Sequence, residues 1–536
     1  MKPSQTLLER LKNPAPESIE ALFEKYGEGY RWLAVATIGL GTFAVLLMST
    51  IVNVAIPEVM GAFGIGQGDA QWLSTAYLAS STISMLMSSW AIARFGLQLT
   101  FVVPTLMFVI GAVIGGLSPN ADILIFSRVI QGFAYGFFLP LAMYLMTRIF
   151  PPEKQGMGMG IFGILAVMGP AIGPYLGGIT VDSLGWRAVF YVPLPLALLA
   201  LPLALIYLPG PERSDAPKPP LDWQGLLWLS LCIVHLLVAI SNIQKYGLQS
   251  DFIVTCLLIT AITGLGFIYQ QQRCSVPLMN LSLFKNRNYV LAAIISALYG
   301  AALFGGMYAV PLFLQSIQGL SATTAGLALL PAGLMLTIAF PICGHLSDRL
   351  PPHTMIMVGM VFLAYASLIM VKADPFTSFA TICWWLILSR LGMAMVMPSL
   401  NLAAFSTLPR SELTQASANI NFVRQIGGAL GVNLTSVFLD RNTSAHVDYI
   451  VSSQDAANPQ TQNMLAELIP SLNAIGVEEA YQAPLAGWIL SSELYKQALT
   501  LGFQDTFFYT GLVLSVAIIP AYMLRNAVRT EAIDRS

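Results

Sequence analysis

The chain has 536 residues, of which 56% are hydrophobic and only 10% are charged, whereas a soluble globular chain carries roughly 25% charged residues. So few charges cannot cover the surface of a soluble enzyme of this size, and so hydrophobic a chain does not stay disordered. The 26 Lys and Arg residues against 27 Asp and Glu residues also exclude a nucleic-acid binder, which needs a basic surplus.

Long apolar segments follow one another along the whole chain. A membrane-crossing helix needs about 20 predominantly apolar residues, and glycine (44) and proline (32) are abundant, as membrane helices tolerate. The pattern predicts an all-α integral membrane protein with fourteen spans, at 32–56, 71–93, 99–118, 123–147, 156–180, 188–208, 223–241, 252–271, 289–314, 322–346, 354–372, 377–400, 413–438 and 502–524.

Basic residues in the short connections predict the orientation. With the N-terminus inside, the inner segments hold 18 of the 26 Lys and Arg residues, the outer segments hold 5, and 3 lie within spans. We therefore expect a multi-pass protein with both termini in the cytoplasm.

Two pairs of similar segments indicate that the chain consists of two related halves. Arg94 and Arg349 end two spans 255 residues apart, and Gly169 and Gly427 open glycine-rich repeats 258 residues apart. Duplicated halves around a midplane site are typical of secondary transporters. The predicted parts are a cytoplasmic tail (1–31), a six-helix bundle (32–208), a proline-rich cytoplasmic linker (209–222), two inserted helices (223–271), a second six-helix bundle (289–524) and a cytoplasmic tail (525–536). Within the second bundle, an outer loop at 441–500 is expected to form short amphipathic helices on the outer face.

Three groups of residues form motifs along the predicted spans. The first group is Arg94, Gly96, Gly344, Asp348 and Arg349; the second is Arg128, Gln131, Gly132, Gly136 and Pro140; and the third is Gly163, Gly169, Pro170, Gly173, Pro174, Gly177 and Gly178. They resemble motif A, motif B and the antiporter motif C of the major facilitator superfamily, and specifically of its fourteen-helix drug:proton antiporters of the EmrB/QacA type. Leu47 to Pro57, Trp186-Arg187 and Leu283 to Arg287 also resemble that branch.

The resemblance implies two packed six-helix bundles with a pseudo-two-fold relation plus two inserted helices. It further implies proton-coupled export of small amphipathic drugs or toxic metabolites across the cytoplasmic (inner) membrane, and hence antibiotic resistance. The partners it implies are the substrate, protons, membrane lipid, a periplasmic adaptor and an outer-membrane channel.

The motif residues also have a physical interpretation. The small residues of motif C let two helix backbones approach closely, and Pro170 and Pro174 each remove a backbone donor and favour a kink, which suits a gating helix; a plain packing helix is the alternative. In motif A, Asp348 and Arg349 follow a helix end, where a charge pair can latch two helices. The first copy has Ala93, and Leu97-Gln98 in place of a basic pair, so a weaker latch is expected there.

Three arginines, Arg128, Arg390 and Arg424, lie inside predicted spans, and no acid does. Placing each arginine in the membrane costs about 2.5–3.5 kcal/mol on insertion scales, which indicates a functional role. The alternative is a structural role, in which backbone carbonyls and hydroxyls offset the cost. Met48 stands where the resembled family's first-helix motif has an Asp. Acidic, neutral or zwitterionic substrates are therefore expected, in a cavity whose candidate lining residues are Asn53, Tyr77, Tyr135, Tyr299, Gln315, Asn421, Arg424 and Arg390.

Two other interpretations stay open at this point. The same fold serves importers and metabolite or siderophore exporters, since fold alone does not give function. An intramembrane enzyme needs a nucleophile with a base or a metal site, but the sequence has no H-E-x-x-H pattern and its five cysteines stand singly. We expect a transporter with no cofactor, no metal and no nucleic-acid partner.

Overall fold

The computed structural model describes residues 18–151, 155–210, 220–347, 349–405, 408, 412–452 and 458–524. Within these ranges the chain is helical, without a β-strand. The expected all-α membrane architecture is confirmed by this model.

The N-terminal half begins with an amphipathic helix, α1 (Ile19–Tyr26), whose first turn is capped by the Ser18 hydroxyl. The remaining helices are α2 (Tyr30–Ile51), α3 (Ile56–Phe63), α4 (Gln67–Ala70), α5 (Trp72–Gly116), α6 (Ala121–Ile149), α7 (Gln155–Leu184) and α8 (Leu194–Tyr207). Short 3-10 turns join α2 to α3 at Val52–Ala55 and follow α7 at Trp186–Phe190.

The long element α5 contains two membrane spans. Its helical path is interrupted at Gly96, which has φ 78° and ψ 172°. Only glycine adopts this conformation without steric cost, so Gly96 permits the reversal between the spans predicted at 71–93 and 99–118. Gln98, two residues later, hydrogen-bonds the backbone carbonyl of Leu205 at 3.0 Å.

The second part of the chain begins with the inserted pair α9 (Trp223–Tyr246) and α10 (Asp251–Arg273). The C-terminal half contains α11 (Arg287–Ser316), α12 (Ala322–Ser347), α13 (Pro352–Ile369), α14 (Phe379–Phe405), α15 (Leu413–Ser452), α16 (Pro459–Ala474) and α17 (Glu479–Val516). Side-chain caps mark several starts, as expected for Asn, Asp and Ser: Asn120 caps α6, Asp222 caps α9 and Ser250 caps α10.

Twelve segments of the described chain are long and apolar enough to cross a membrane. One of these segments contains α5, which itself holds two spans. A further helix of 30 residues, α7, is not among the twelve. Dividing α5 at Gly96 and adding α7 gives fourteen helices, each on a segment predicted from the sequence.

The segment 441–500 differs from the short surface helices that the sequence predicted. α15 continues to Ser452 and α17 starts at Glu479, so both prolong membrane helices, and α16 lies between them. No proline or glycine interrupts the chain between 432 and 452, so nothing in the sequence ends α15 at the membrane surface.

The halves pack directly against each other through two helix pairs. α7 packs on α12, and α5 packs on α15; the inserted helix α9 also packs on α15. We call the end where α7 terminates and α12 begins the outer end, because the charge bias predicts that it faces outside.

Candidate functional site

The Arg128 side chain is completely buried. Its Nε donates to the Leu73 carbonyl at 2.8 Å, and its Nη1 donates to Gln131 Oε1 at 2.7 Å. The guanidinium carbon lies 4.1 Å from the centroid of the Tyr77 ring. Two polar acceptors and an aromatic face together stabilise a charge that lipid would exclude.

Two tyrosines lead from Arg128 toward the other half. The Tyr77 hydroxyl donates to the Val45 carbonyl at 3.0 Å, and its ring lies 5.3 Å from the ring of Tyr135. The Tyr135 hydroxyl in turn accepts a 3.3 Å hydrogen bond from Gln425 Nε2 on α15. The two halves are therefore joined in the interior through Tyr135 and Gln425.

The other two buried arginines both lie within electrostatic range of Tyr299. Tyr299 on α11 interacts electrostatically with both Arg390 and Arg424, and Arg424 also hydrogen-bonds Asn421. At 1.5 Å per residue, Arg390 and Arg424 each lie about 17 Å from the start of their helices, which enter from opposite sides. This places both residues near mid-depth. We call Arg128, Tyr77, Tyr135, Gln425, Arg424, Tyr299 and Arg390 the arginine–tyrosine cluster.

No carboxylate neutralises these arginines within the described residues. The ion pairs found there are Arg31–Glu28 and His446–Asp505, and that part of the chain contains no His, Cys, Asp and Glu group suited to a metal ion. Met48 is fully buried in apolar surroundings, and the neighbouring Ser49 hydroxyl bonds the Leu46 carbonyl at 2.6 Å. The cluster therefore has a positive electrostatic character.

Two predicted cavity residues instead join the halves at the outer end. Asn53 Nδ2 donates to the Met307 carbonyl at 3.2 Å, while Asn53 Oδ1 accepts from Ser74 at 2.7 Å. Gln315 Nε2 donates to the Val54 carbonyl at 3.0 Å. These contacts hold the start of α5 and the end of α11 against the turn after α2.

Asp182 makes a third contact between the halves. Its two carboxylate oxygens accept from the backbone N–H groups of Ala322 at 3.2 Å and Thr323 at 2.7 Å. These groups belong to the first turn of α12, where unpaired N–H groups and the helix dipole favour an anion. The carboxylate thus caps a helix of the opposite half.

Motif C forms a closely packed seam with two partners. A Cβ at Gly169, Gly173 or Gly177 would collide with α2 at Leu46, Thr50 or Ile51, respectively, and one at Gly178 would collide with the α12 backbone. From the other side, Gly326 touches Pro174, and Gly333 touches Ala171. Gly163 lies earlier on the same helix, which continues through Pro170 and Pro174 as one element.

Motif B has a similar steric role next to the cluster. A Cβ at Gly132 would collide with the Tyr77 backbone, and one at Gly136 with Ser81 and Ser84. Pro140 lies further along α6. The close approach of α5 and α6 brings Tyr77 over Arg128.

The motif A residues lie at the opposite end from the outer contacts. Arg94 and Arg349 are exposed, Gly344 lies in the last turn of α12 with open space where a Cβ would be, and Asp348 lies outside the described residues. Gln98, which replaces a basic residue of the motif, bonds the carbonyls of Ala204, Leu205 and Leu208 at the end of α8. Gln98, where this chain departs from the motif, therefore caps the C-terminal end of α8.

The sequence predicted the buried arginines but missed several of their partners. Gln425 and Ser74 gave no distinctive signal, because a polar residue in an apolar helix does not reveal its face. Asp182 was visible only as an acid near a helix end. Its position five residues after Gly177 on the motif C helix was the available clue to a contact with α12.

Comparisons with known proteins agree with this architecture. Residues 38–432 match the family model of the Major Facilitator Superfamily. The chain is 28% identical to the multidrug export protein EmrB of Escherichia coli (strain K12), covering 91% of this chain and 94% of that protein. It is 32% identical to the multidrug resistance protein B homolog of Mycobacterium tuberculosis (strain ATCC 25618 / H37Rv), covering 76% of each.

A solved structure shares the fold at low identity. A bacterial homolog of the human lysosomal transporter Spinster, in an inward-facing and unoccupied conformation, superposes with a TM-score of 0.61 at 16% identity, covering 92% of this chain and 97% of that one. The family match covers most of the chain, and the helices follow the same architecture. The chain belongs to the Major Facilitator Superfamily and is a membrane transporter, not an enzyme.

Proposed function

We propose that this transporter exports small amphipathic compounds from the cytoplasm by alternating access, and that its substrates are weakly acidic, neutral or zwitterionic. The observation that carries the proposal is the arginine–tyrosine cluster, which connects both halves through Tyr135 and Gln425 without a carboxylate among the described residues. Export, rather than uptake, is supported by motif C and by the printed names of the multidrug export relatives.

The charge of the cluster supports the substrate class. At 8 Å and an effective dielectric constant of 20, one unit charge interacts with another by about 2 kcal/mol. Arg390 and Arg424 both interact electrostatically with Tyr299, so an anionic group near Tyr299 is favoured and a permanent cation is disfavoured. A quaternary ammonium compound is accordingly a poor substrate.

Proton coupling needs a route that avoids the usual first-helix acid. Met48 cannot bind a proton, and Glu58 is exposed at the outer end. A weak acid that leaves as its anion can instead draw on the membrane potential, because moving one negative charge outward is favoured by about 2.3 kcal/mol per 100 mV. Glu58 or Asp505 at the membrane edge is the alternative proton acceptor.

Alternating access requires the outer contacts to break and re-form. In this proposal, motif C is the hinge seam, while Asn53, Gln315 and Asp182 hold the outer end closed. The motif A residues around Arg349 are the proposed inner latch, and Asp348 of that motif lies outside the described residues. Both termini are cytoplasmic, and the protein resides in the inner membrane.

The segment 441–500, which includes the end of α15, α16 and the start of α17, suits a periplasmic adaptor that leads to an outer-membrane channel. It presents exposed aromatic side chains, including Tyr449, Tyr481 and Trp488. The resemblance to EmrB-type exporters supplies this partner class. Replacing Tyr481 and Trp488 with Ser is expected to lower resistance in cells that have the adaptor, while export into purified vesicles persists; unchanged resistance would contradict the adaptor role.

The main test is transport in inverted membrane vesicles, where an exporter accumulates substrate. An acidic uncoupler and a quaternary ammonium dye of similar size are compared in wild type and Arg424→Gln. We expect accumulation of the acid only, with a loss of at least tenfold in Arg424→Gln at equal protein level. Strong dye accumulation, unaffected by the substitution, would contradict the substrate class, and uptake into right-side-out vesicles would contradict export.

A further inference from the structure

The two halves contain equivalent arginines whose partners differ. Arg128 follows Ser127 on α6, and Arg390 follows Ser389 on α14, each on the fourth helix of its half. Each guanidinium bonds the side chain three residues later. In the N-terminal half that partner is the amide oxygen of Gln131 at 2.7 Å, whereas in the C-terminal half it is the thioether sulphur of Met393 at 2.9 Å.

A thioether is a weak acceptor for a guanidinium that has five N–H donors. Arg390 is only 8% exposed, and no carboxylate pairs with it among the described residues. Asp505, on the neighbouring helix α17, bonds His446 instead at 2.8 Å. A buried charge left without a counter-charge is strongly destabilising, so Arg390 needs a further partner.

A cavity of about 50 Å³ adjoins Arg390 inside the C-terminal half. Hydroxyl groups from four helices line it together with the arginine, namely those of Ser367, Ser389, Thr435, Thr506 and Thr510. Thr506 and Thr510 bond carbonyls of their own helix. In the described part of the chain, the hydroxyls of Ser367, Ser389 and Thr435 have no such bond and remain available as donors.

We propose that this cavity is a binding site for one small monovalent anion, held by the Arg390 guanidinium and the surrounding hydroxyl groups. A cavity needs about 10–15 Å³ of this kind of volume to hold one water, so the volume suits a halide or a single carboxylate group. A drug-sized molecule does not fit within it. Arg128 differs in its partners: its Nε and Nη1 bond the Leu73 carbonyl and Gln131, and its buried Nη2 has no hydrogen-bond partner among the described residues.

Two sources supply an anion of this kind: free chloride, or the carboxylate of a transported acid that reaches the cavity. Both give the same local chemistry, a negative group against Arg390. The second source rests on the proposed export function, whereas the first does not.

The first experiment measures thermal unfolding of the purified full chain in lipid nanodiscs, with sodium chloride or sodium acetate titrated against sodium gluconate at constant ionic strength. We expect a saturable rise in Tm of several degrees for the wild type.

Met393→Gln supplies the acceptor found in the other half, so its Tm in gluconate should exceed that of the wild type, and its anion-dependent rise should be lost. Gly306→Val fills the cavity from α11, where a Cβ meets open space, and should weaken the apparent anion affinity at least tenfold.

The absence of any anion-dependent rise in the wild type would overturn the proposal, as would an equal rise in Met393→Gln. Transport then distinguishes the sources. If chloride is the occupant, export of a neutral substrate into inverted vesicles falls in gluconate and recovers with chloride. If the substrate carboxylate is the occupant, chloride competitively inhibits export of the acid alone. The Tm measurement is independent of transport, so failure of the export assay would leave the anion site testable.

Discussion

The contact between Asp182 and α12 gives the sharpest prediction. In Asp182→Asn, the side chain keeps one carbonyl acceptor but loses its charge, and its amide N–H₂ faces one of the two backbone N–H groups, that of Ala322 or that of Thr323. At least one of the two hydrogen bonds is lost, and the attraction to the helix dipole disappears. We therefore expect the outer end to open more often.

The magnitude follows from the kind of bond. Hydrogen bonds to charged groups contribute about 1.5–3 kcal/mol when buried, but Asp182 is exposed, so about 1–2 kcal/mol is a suitable estimate. That free energy corresponds to a factor of roughly 5–30 in the equilibrium between closed and open states. An open state populated at about 1% would rise to roughly 5–20%.

Distances between spin labels measure this equilibrium directly. After replacement of the five native cysteines, labels are placed at Leu117 and Phe376, which are 70% and 93% exposed on different halves. Asp182→Asn should add a longer distance component, while a second pair at Leu117 and Leu184, within one half, should not change. Asp122→Asn removes a carboxylate at the same end without a bond to α12 and serves as the matched control. An unchanged Leu117–Phe376 distribution in Asp182→Asn would refute the role of the carboxylate as a closing contact.

Three further variants test other parts of the structure. Gly173→Leu places a side chain against Thr50 and should abolish export while the protein stays inserted, since overpacking costs typically 1–3 kcal/mol. Gly61→Leu, where a Cβ meets open space, is the control. Wild-type export by Gly173→Leu would show that motif C only packs helices and does not gate transport. Gln98→Ala frees carbonyls at the end of α8 and should lower the Tm by several degrees, which thermal unfolding measures. Cysteines introduced by substitution at 460 and 215 should react with an impermeant reagent from outside and inside, respectively, and the opposite labelling pattern would invert the topology.

Hydropathy sufficed to predict the helices because each span must be apolar over its whole length. It also predicted the three buried arginines, since an ionisable residue contrasts with its surroundings. The same argument could not identify Tyr77 or Gln425 as partners. Their contacts depend on helix rotation, and the apolar helices give almost no sequence signal for rotation because lipid and protein interior accept the same residues.

The long segment 441–500 shows a second limit. Its polar composition indicated a region outside the membrane, but not that α15 and α17 would continue as unbroken helices. Hydropathy reports where lipid ends, whereas helix termination requires a local signal such as glycine or proline. The same distinction explains Gly96, where a helix break occurs within an element of mostly apolar residues.

The two halves differ at equivalent positions of the predicted repeat. Duplicated bundles begin with equivalent positions, and each position can then change in only one half. Arg128 has kept an amide partner and is fully enclosed, while Arg390 faces a cavity with only a thioether to bond. An arginine enclosed by protein groups can position its neighbours, whereas one that borders a cavity can also bind a ligand. The arginine–tyrosine cluster is therefore asymmetric in function, with Arg128 positioning Tyr77 and Tyr135, and the Arg390 side carrying the capacity to bind an anion.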